Sequence, residues 1–112
     1  ISGYFVNTVI TIDSLERLGL QKGSMAAAEV KAPWVILQKS EVEPVCSAEN
    51  RFSGIVSRIT RGAINTEYVV RIPDGTFLCA IVSETGDHPL NLCEGDPVWA
   101  FFSSFAVVLH VD

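Results

Sequence analysis

"KAPWVIL" (residues 31–37) and "SSFAVVL" (residues 103–109) decide how this chain is read. Each is an apolar run with a polar residue at its mouth, Lys31 in one and Ser103 in the other. They stand seventy-two residues apart. At that offset residues 3–40 align on 75–112 without a gap. Gly3 meets Gly75, Phe5 meets Phe77, Leu18 and Leu20 meet Leu90 and Leu92, and Gly23 meets Gly95. Ala28 meets Ala100, Val35 meets Val107 and Leu37 meets Leu109. Conservative pairs such as Val9/Ile81, Ile10/Val82, Thr11/Ser83 and Ile36/Val108 strengthen the match. Self-similarity at a fixed offset marks a repeated structural unit.

The second copy has more in front of it. Residues 47–74 have no partner in the first copy. The expected organisation is the C-terminal half of a first unit (1–40), a short linker "EVEPVC" (41–46) and a complete second unit (47–112). Period and punctuation then give the elements. "FVNTVITI" (5–12) is β-branched and apolar, which predicts a strand. Asp13 or Ser14 opens a short helical turn through "SLERLGL", with Glu16 placed as in a capping box. Pro33 separates two strands, "MAAAEVKA" and "WVILQK". The second unit reads as strands over 52–60, 66–72, 76–84, 97–103 and 106–111. Turns fall at "RGAIN", "PDG" and "EGDP", and a weak helical turn falls near 88–92. Short strands with turn residues between them and little helix predict an all-β fold of small OB-like five-stranded antiparallel barrels.

Composition excludes several functions. The 112 residues carry a net charge of −5, opposite to the basic footprint of a nucleic-acid-binding surface. No apolar run approaches the roughly 18 residues of a membrane span, and no signal peptide opens the sequence. The three cysteines, Cys46, Cys79 and Cys93, form no CxxC. Cys79 lies in an apolar strand run, where a buried, reduced thiol is expected, and a cytoplasmic location follows. The two histidines, His88 and His110, lie far from any cysteine cluster, and metal-ligand spacing is absent. No catalytic grouping or phosphate loop points to an enzyme.

"SAENRFSGIVSRITRGAINTEYVV" (47–70), followed by "LCAIV" and "VVLHV", resembles the molbindin-type domain, also called the TOBE or Mop domain. "KAPWV", "ITIDSLERLGL" and "PDGTFLCA" are closer still to the tandem ligand-binding region of molybdate-responsive transcription regulators. The resemblance covers nearly the whole chain. It implies an OB-like fold that binds molybdate or tungstate between units, with no organic cofactor. It also implies a homodimer or complementing chain that supplies the missing half-unit, and DNA reached only through a separate domain. Carried over by position, the oxyanion contacts of the first unit fall on Thr11, Ser14 and Lys31. A Ser-Ala-Arg-Asn segment completes such a site. The second unit has Ser47, Ala48, Glu49 and Asn50 there, so a carboxylate stands where the motif has arginine. Its other candidates are Ser83, Gly86 and Ser103, which lack both the lysine and one hydroxyl.

The chemistry stands without the family. A tetrahedral dianion wants several donors and a compensating charge in a partly dry site. Thr11 and Ser14 open a helical turn whose N–H groups and dipole favour an anion, and Lys31 supplies charge. Plainer roles compete. Lys31 can be a snorkelling surface lysine, Ser14 a cap and Thr11 a strand residue. Ser47 and Asn50 can be ordinary residues leading into a strand, and Arg51 is one position late to replace the missing arginine. Trp34 and Trp99 read as core or interface residues. The leading function is therefore the oxyanion-sensing region of a transcription regulator. A molybdenum storage protein, or an accessory domain of an oxyanion transporter ATPase, would carry a similar domain. A dimerisation module with a decayed anion site is the alternative from another class.

Overall fold

The structure, a computed structural model, describes residue 6 and residues 12–23, 27–83 and 90–111. The helix α1 covers Ile12–Leu18, and the strands are β1 (Ala27–Val30), β2 (Ile36–Gln38), β3 (Asn50–Arg61), β4 (Asn65–Arg71), β5 (Phe77–Ser83), β6 (Pro97–Phe102) and β7 (Val107–His110). Single 3₁₀ turns, Ala32–Trp34 and Ser104–Ala106, separate β1 from β2 and β6 from β7. The expected first strand lies outside the described residues except for Val6 and Ile12, and Ile12 opens the helix. Of the expected helical turn near 88–92, residues 88 and 89 lie outside the described residues, and 90–92 are not helical.

Helix α1 starts two residues before the expected turn and stops where sequence demands. Gly19 takes φ 65, and its N–H reaches Glu16 O while Leu20 N–H reaches Leu15 O. These are the paired bonds of a glycine-terminated helix, which satisfy carbonyls that the helix cannot. Asn91, seventy-two residues on, takes φ 52. Asparagine is the residue that tolerates this region best after glycine.

The five-stranded antiparallel sheet has the order β2-β6-β3-β4-β5. Its edge strands β2 and β5 also approach each other, so the sheet curls into a barrel. Long β3 serves two neighbours: Asn50–Ile55 pair with β6 and Ile55–Arg61 with β4. Gly54 stands at the change of partner, where an added Cβ would lie 2.6 Å from Val70 Cγ1 and 2.7 Å from the Arg71 carbonyl oxygen. The glycine lets β3 and β4 approach at the bend. A bulge between Val56 and Arg58 adds to the coiling. The alternating inner faces supply the core: Phe52, Val56, Tyr68, Val70, Ala80, Val98, Ala100 and Phe102, closed by Ile72 and Leu92. Phe52 and Phe102 stack with ring centroids 6.0 Å apart.

The fifth strand does not come from the second copy. Four strands of the barrel, β3 to β6, belong to residues 47–112, but the fifth is β2, from residues 1–40. Its Val35 and Leu37 are part of the same core. Strand β7 pairs instead with β1 in a separate two-stranded ladder. The two ladders share one register. Ala28 faces Leu109, and the same pair moved by the repeat offset is Ala100 facing Leu37. Ala27/His110 maps likewise onto Trp99/Gln38, and Glu29/Val108 onto Phe101/Ile36. Each copy therefore passes its last strand to the other. The two 3₁₀ turns are also counterparts at this offset.

One expectation about a single residue fails. Cys79 is exposed, because on β5 it is Ala80 that points inward and the alternation of the strand turns Cys79 out. Of the two roles expected for Trp34, core or interface, its 63% exposure excludes the core. Among the described residues no helix is long and apolar enough to cross a membrane.

Candidate functional site

Two of the candidate residues, Lys31 and Ser103, immediately precede the two 3₁₀ turns. Both are in extended conformation, Lys31 at φ −73, ψ 136 and Ser103 at φ −69, ψ 148. The carbonyl of each accepts the N–H three residues on: Trp34 N to Lys31 O at 2.9 Å, and Ala106 N to Ser103 O at 3.0 Å. The backbones are the same, so the side chains make the difference.

In the first copy Lys31 makes no side-chain capping bond. It is exposed. Among the described residues its ammonium has no hydrogen-bond or ion-pair partner. The turn it precedes packs against β5, the strand that ends at Ser83. Ser83 lies opposite Asn65 of β4. Ser14 is half-buried on α1 and already engaged in an interaction. Thr11 and Gly86 lie outside the described residues.

In the second copy the turn holds an anion of the chain's own. The Ser103 hydroxyl accepts from Phe105 N–H at 3.1 Å. Next to it Ser104 is buried. Its hydroxyl donates to Glu49 Oε2 at 2.6 Å and its N–H donates to the same oxygen at 3.3 Å. The Ser104 hydroxyl bond is the main reason the Glu49 carboxyl is held below its ordinary pKa, and the Ser104 N–H adds to it. Asn50, buried at the start of β3, lies opposite Phe102, the residue before the Ser103 cap. Asn50 and Ser103 thus stand at one end of the β3–β6 ladder, beside the Glu49–Ser104 contact, and Ser47 and half-buried Ala48 precede that end in sequence. Ser83, on the far side of β4, is not among them.

Arg51 does not replace the missing arginine. Its guanidinium donates to Pro44 O at 3.1 Å and lies 3.8 Å from the Glu43 carboxylate, tied to the linker. Ser104 was not singled out by sequence reading. Its counterpart in the first copy is Ala32, and the hydroxyl gains meaning only when the fold sets it against Glu49. Among the described residues no group of three or more His, Cys, Asp or Glu converges.

Comparison with known proteins follows the same lines. The TOBE domain model matches residues 46–109. The DNA-binding transcriptional dual regulator ModE of Escherichia coli K12 is 36% identical over 104 residues, covering 93% of this chain and 38% of the relative. The molybdenum-pterin-binding protein MopA of Rhodobacter capsulatus is 33% identical over 107 residues, covering 96% of this chain and 40% of the relative. The chain thus spans about two-fifths of the length of these curated relatives. Among solved structures, the cytoplasmic molybdate-binding protein ModG with molybdate bound superposes with a TM-score of 0.85 at 32% identity. That match covers 94% of this chain and 74% of ModG.

Proposed function

The chain belongs to the TOBE domain family, and from that premise we propose that it binds a tetrahedral oxyanion, molybdate or tungstate, as the ligand-sensing region of a transcription regulator. One observation carries the reading. The same backbone corner occurs twice; in one copy its N–H and the Ser104 hydroxyl hold a carboxylate, and in the other it presents a lysine with no partner among the described residues. The Glu49–Ser104 contact supports the idea that this corner suits an anionic oxygen. The first copy has a compensating charge there and, among the described residues, no internal carboxylate.

In this reading the Lys31 ammonium neutralises part of the dianion's charge. The Ala32 N–H takes the role that Ser104 N–H plays for Glu49. Thr11 and Ser14 add hydroxyl donors, and a Ser-Ala-Arg-Asn-type segment of a neighbouring unit closes the site. Charge-assisted bonds of this kind are stronger than neutral ones. The relatives support the choice of ligand: MopA is named for molybdenum-pterin binding and ModG for molybdate. ModE supports the regulator context, with DNA read by a domain outside these 112 residues. ModG, described as cytoplasmic, supports a cytoplasmic location, as do three unpaired thiols. Exposed Trp34, Ile36, Phe105 and Val108 around the two turns support a paired assembly. The role is binding rather than catalysis.

Calorimetric titration of the full protein with sodium molybdate tests this. Saturable binding that tungstate competes for and sulfate at equal concentration does not is expected. The absence of any saturable molybdate binding would sink the reading.

A further inference from the structure

The Glu49 carboxylate raises a question that oxyanion binding at Lys31 leaves open. It stands at the motif's arginine position, exposed but anchored. Two donors of Ser104 converge on one of its oxygens, on the turn that is the repeat counterpart of the Lys31 turn. The neighbouring Ser103 hydroxyl accepts from Phe105 N–H. Both donors of Ser104 are therefore taken by the chain's own carboxylate.

We propose that Glu49 is a tethered surrogate for the oxyanion, filling the second copy's corner and restricting ligand to the Lys31 copy. This rests on the oxyanion reading above and adds to it a residue that sets stoichiometry. Three features fit together. A carboxylate oxygen makes the charge-assisted bonds that a free oxyanion would make. Its tether spares it the translational cost that a free ligand pays on binding. A dianion arriving beside it would meet like charge with no lysine to offset it, since Ser103 stands where the first copy has Lys31. The loss of the lysine and the gain of the carboxylate are then one change. An internal anion already held by Ser104 leaves no need for a cation there, and a cation there would pair with it.

The test is a two-residue cycle in the full protein, read as molybdate equivalents per chain by equilibrium dialysis. The variants are Glu49→Gln, Ser103→Lys and both together. Wild type is expected to bind at the Lys31 copy alone. Ser103→Lys with Glu49 intact should add no second equivalent, because the new ammonium pairs with the tethered carboxylate. Glu49→Gln with Ser103→Lys should add one, at least roughly tenfold tighter than any second binding in either single variant. A second equivalent in Ser103→Lys alone, or none in the double variant when circular dichroism shows it folded, overturns the proposal. A double variant that does not fold is replaced by Glu49→Ala with Ser103→Lys, judged by the same outcomes. Loss of all binding in wild type is a different failure: it rejects the oxyanion reading itself, and the surrogate falls with it.

Discussion

Replacing Lys31 separates the anion site from the fold. The Lys31 side chain is exposed, makes no capping bond and has no partner among the described residues. Its removal takes no internal interaction from the protein, and such surface changes stay within about 0.5 kcal/mol of stability. Binding behaves differently. A hydrogen bond to a charged group contributes about 1.5–3 kcal/mol net, which at about 1.4 kcal/mol per tenfold is roughly 10- to 150-fold in Kd. Lys31→Ala should weaken molybdate by that factor in calorimetry while the melting temperature stays put. Lys31→Met keeps most of the apolar stem and should lose binding equally, which isolates the charge. Ser103→Ala at the counterpart position should do the reverse. The Ser103 hydroxyl caps Phe105 N–H, and loss of such a cap costs about 0.5–2 kcal/mol, but no ligand contact goes with it. Equal and small binding changes in Lys31→Ala and Ser103→Ala would refute the reasoning and leave Lys31 a snorkelling surface lysine.

Three further changes probe the framework. Leu37→Ala, in a strand lent by the first copy but only 7% exposed in the second copy's core, should cost about 2–5 kcal/mol in urea denaturation; a cost below about 1 kcal/mol would mean that β2 does not close the barrel. Gly54→Ala should cost about 1–3 kcal/mol, because the Arg71 carbonyl at 2.7 Å is backbone and cannot swing aside as Val70 can; unchanged stability would show the β3–β4 bend to be looser than described. For Glu49 the folded pKa is lowered, first by the Ser104 hydroxyl, so its contribution is full above the ordinary glutamate range and is lost as pH falls through the folded value. The melting difference between wild type and Glu49→Gln should therefore be constant near neutrality and shrink in acid; a difference that grows in acid would reverse the sign of the argument.

Much of this was legible in the sequence because local rules and the repeat agree. The glycine at 19 and the asparagine at 91 both take positive φ, Gly23 and Gly95 take φ 92 and 93, and the strands after residue 47 fall within a few residues of their expected bounds. What the sequence does not carry is partnership. The pattern of "WVIL" shows a buried strand but not that its neighbour is β6 rather than a strand of its own copy, since apolar alternation is blind to which edge it meets. The same blindness misplaced Cys79, whose face depends on a strand phase set by the ladder with β4. It also hid Ser104. An alanine-to-serine difference between copies looks neutral until the fold sets a carboxylate opposite it. Glu49 was visible as a departure from the motif, but its partner was not.

The exchange of strands bears on how binding at one corner could be sensed elsewhere. The Lys31 turn is bracketed by both ladders: Val30 pairs with Val107 just before it, and Ile36 pairs with Phe101 just after it. The Ser104 turn is bracketed by the same pairs in reverse. Each ladder joins one copy to the other, so neither turn can shift without moving residues paired across the copies. A ligand at Lys31 would thus act on a corner whose flanking strands are already shared. It can shift the assembly only by as much as it binds one arrangement better than another, and a corner tied on both sides is where such a difference would arise. If the proposal for Glu49 holds, its corner is the half of the pair filled by the chain's own carboxylate, and the Lys31 half is the one that a ligand occupies or leaves.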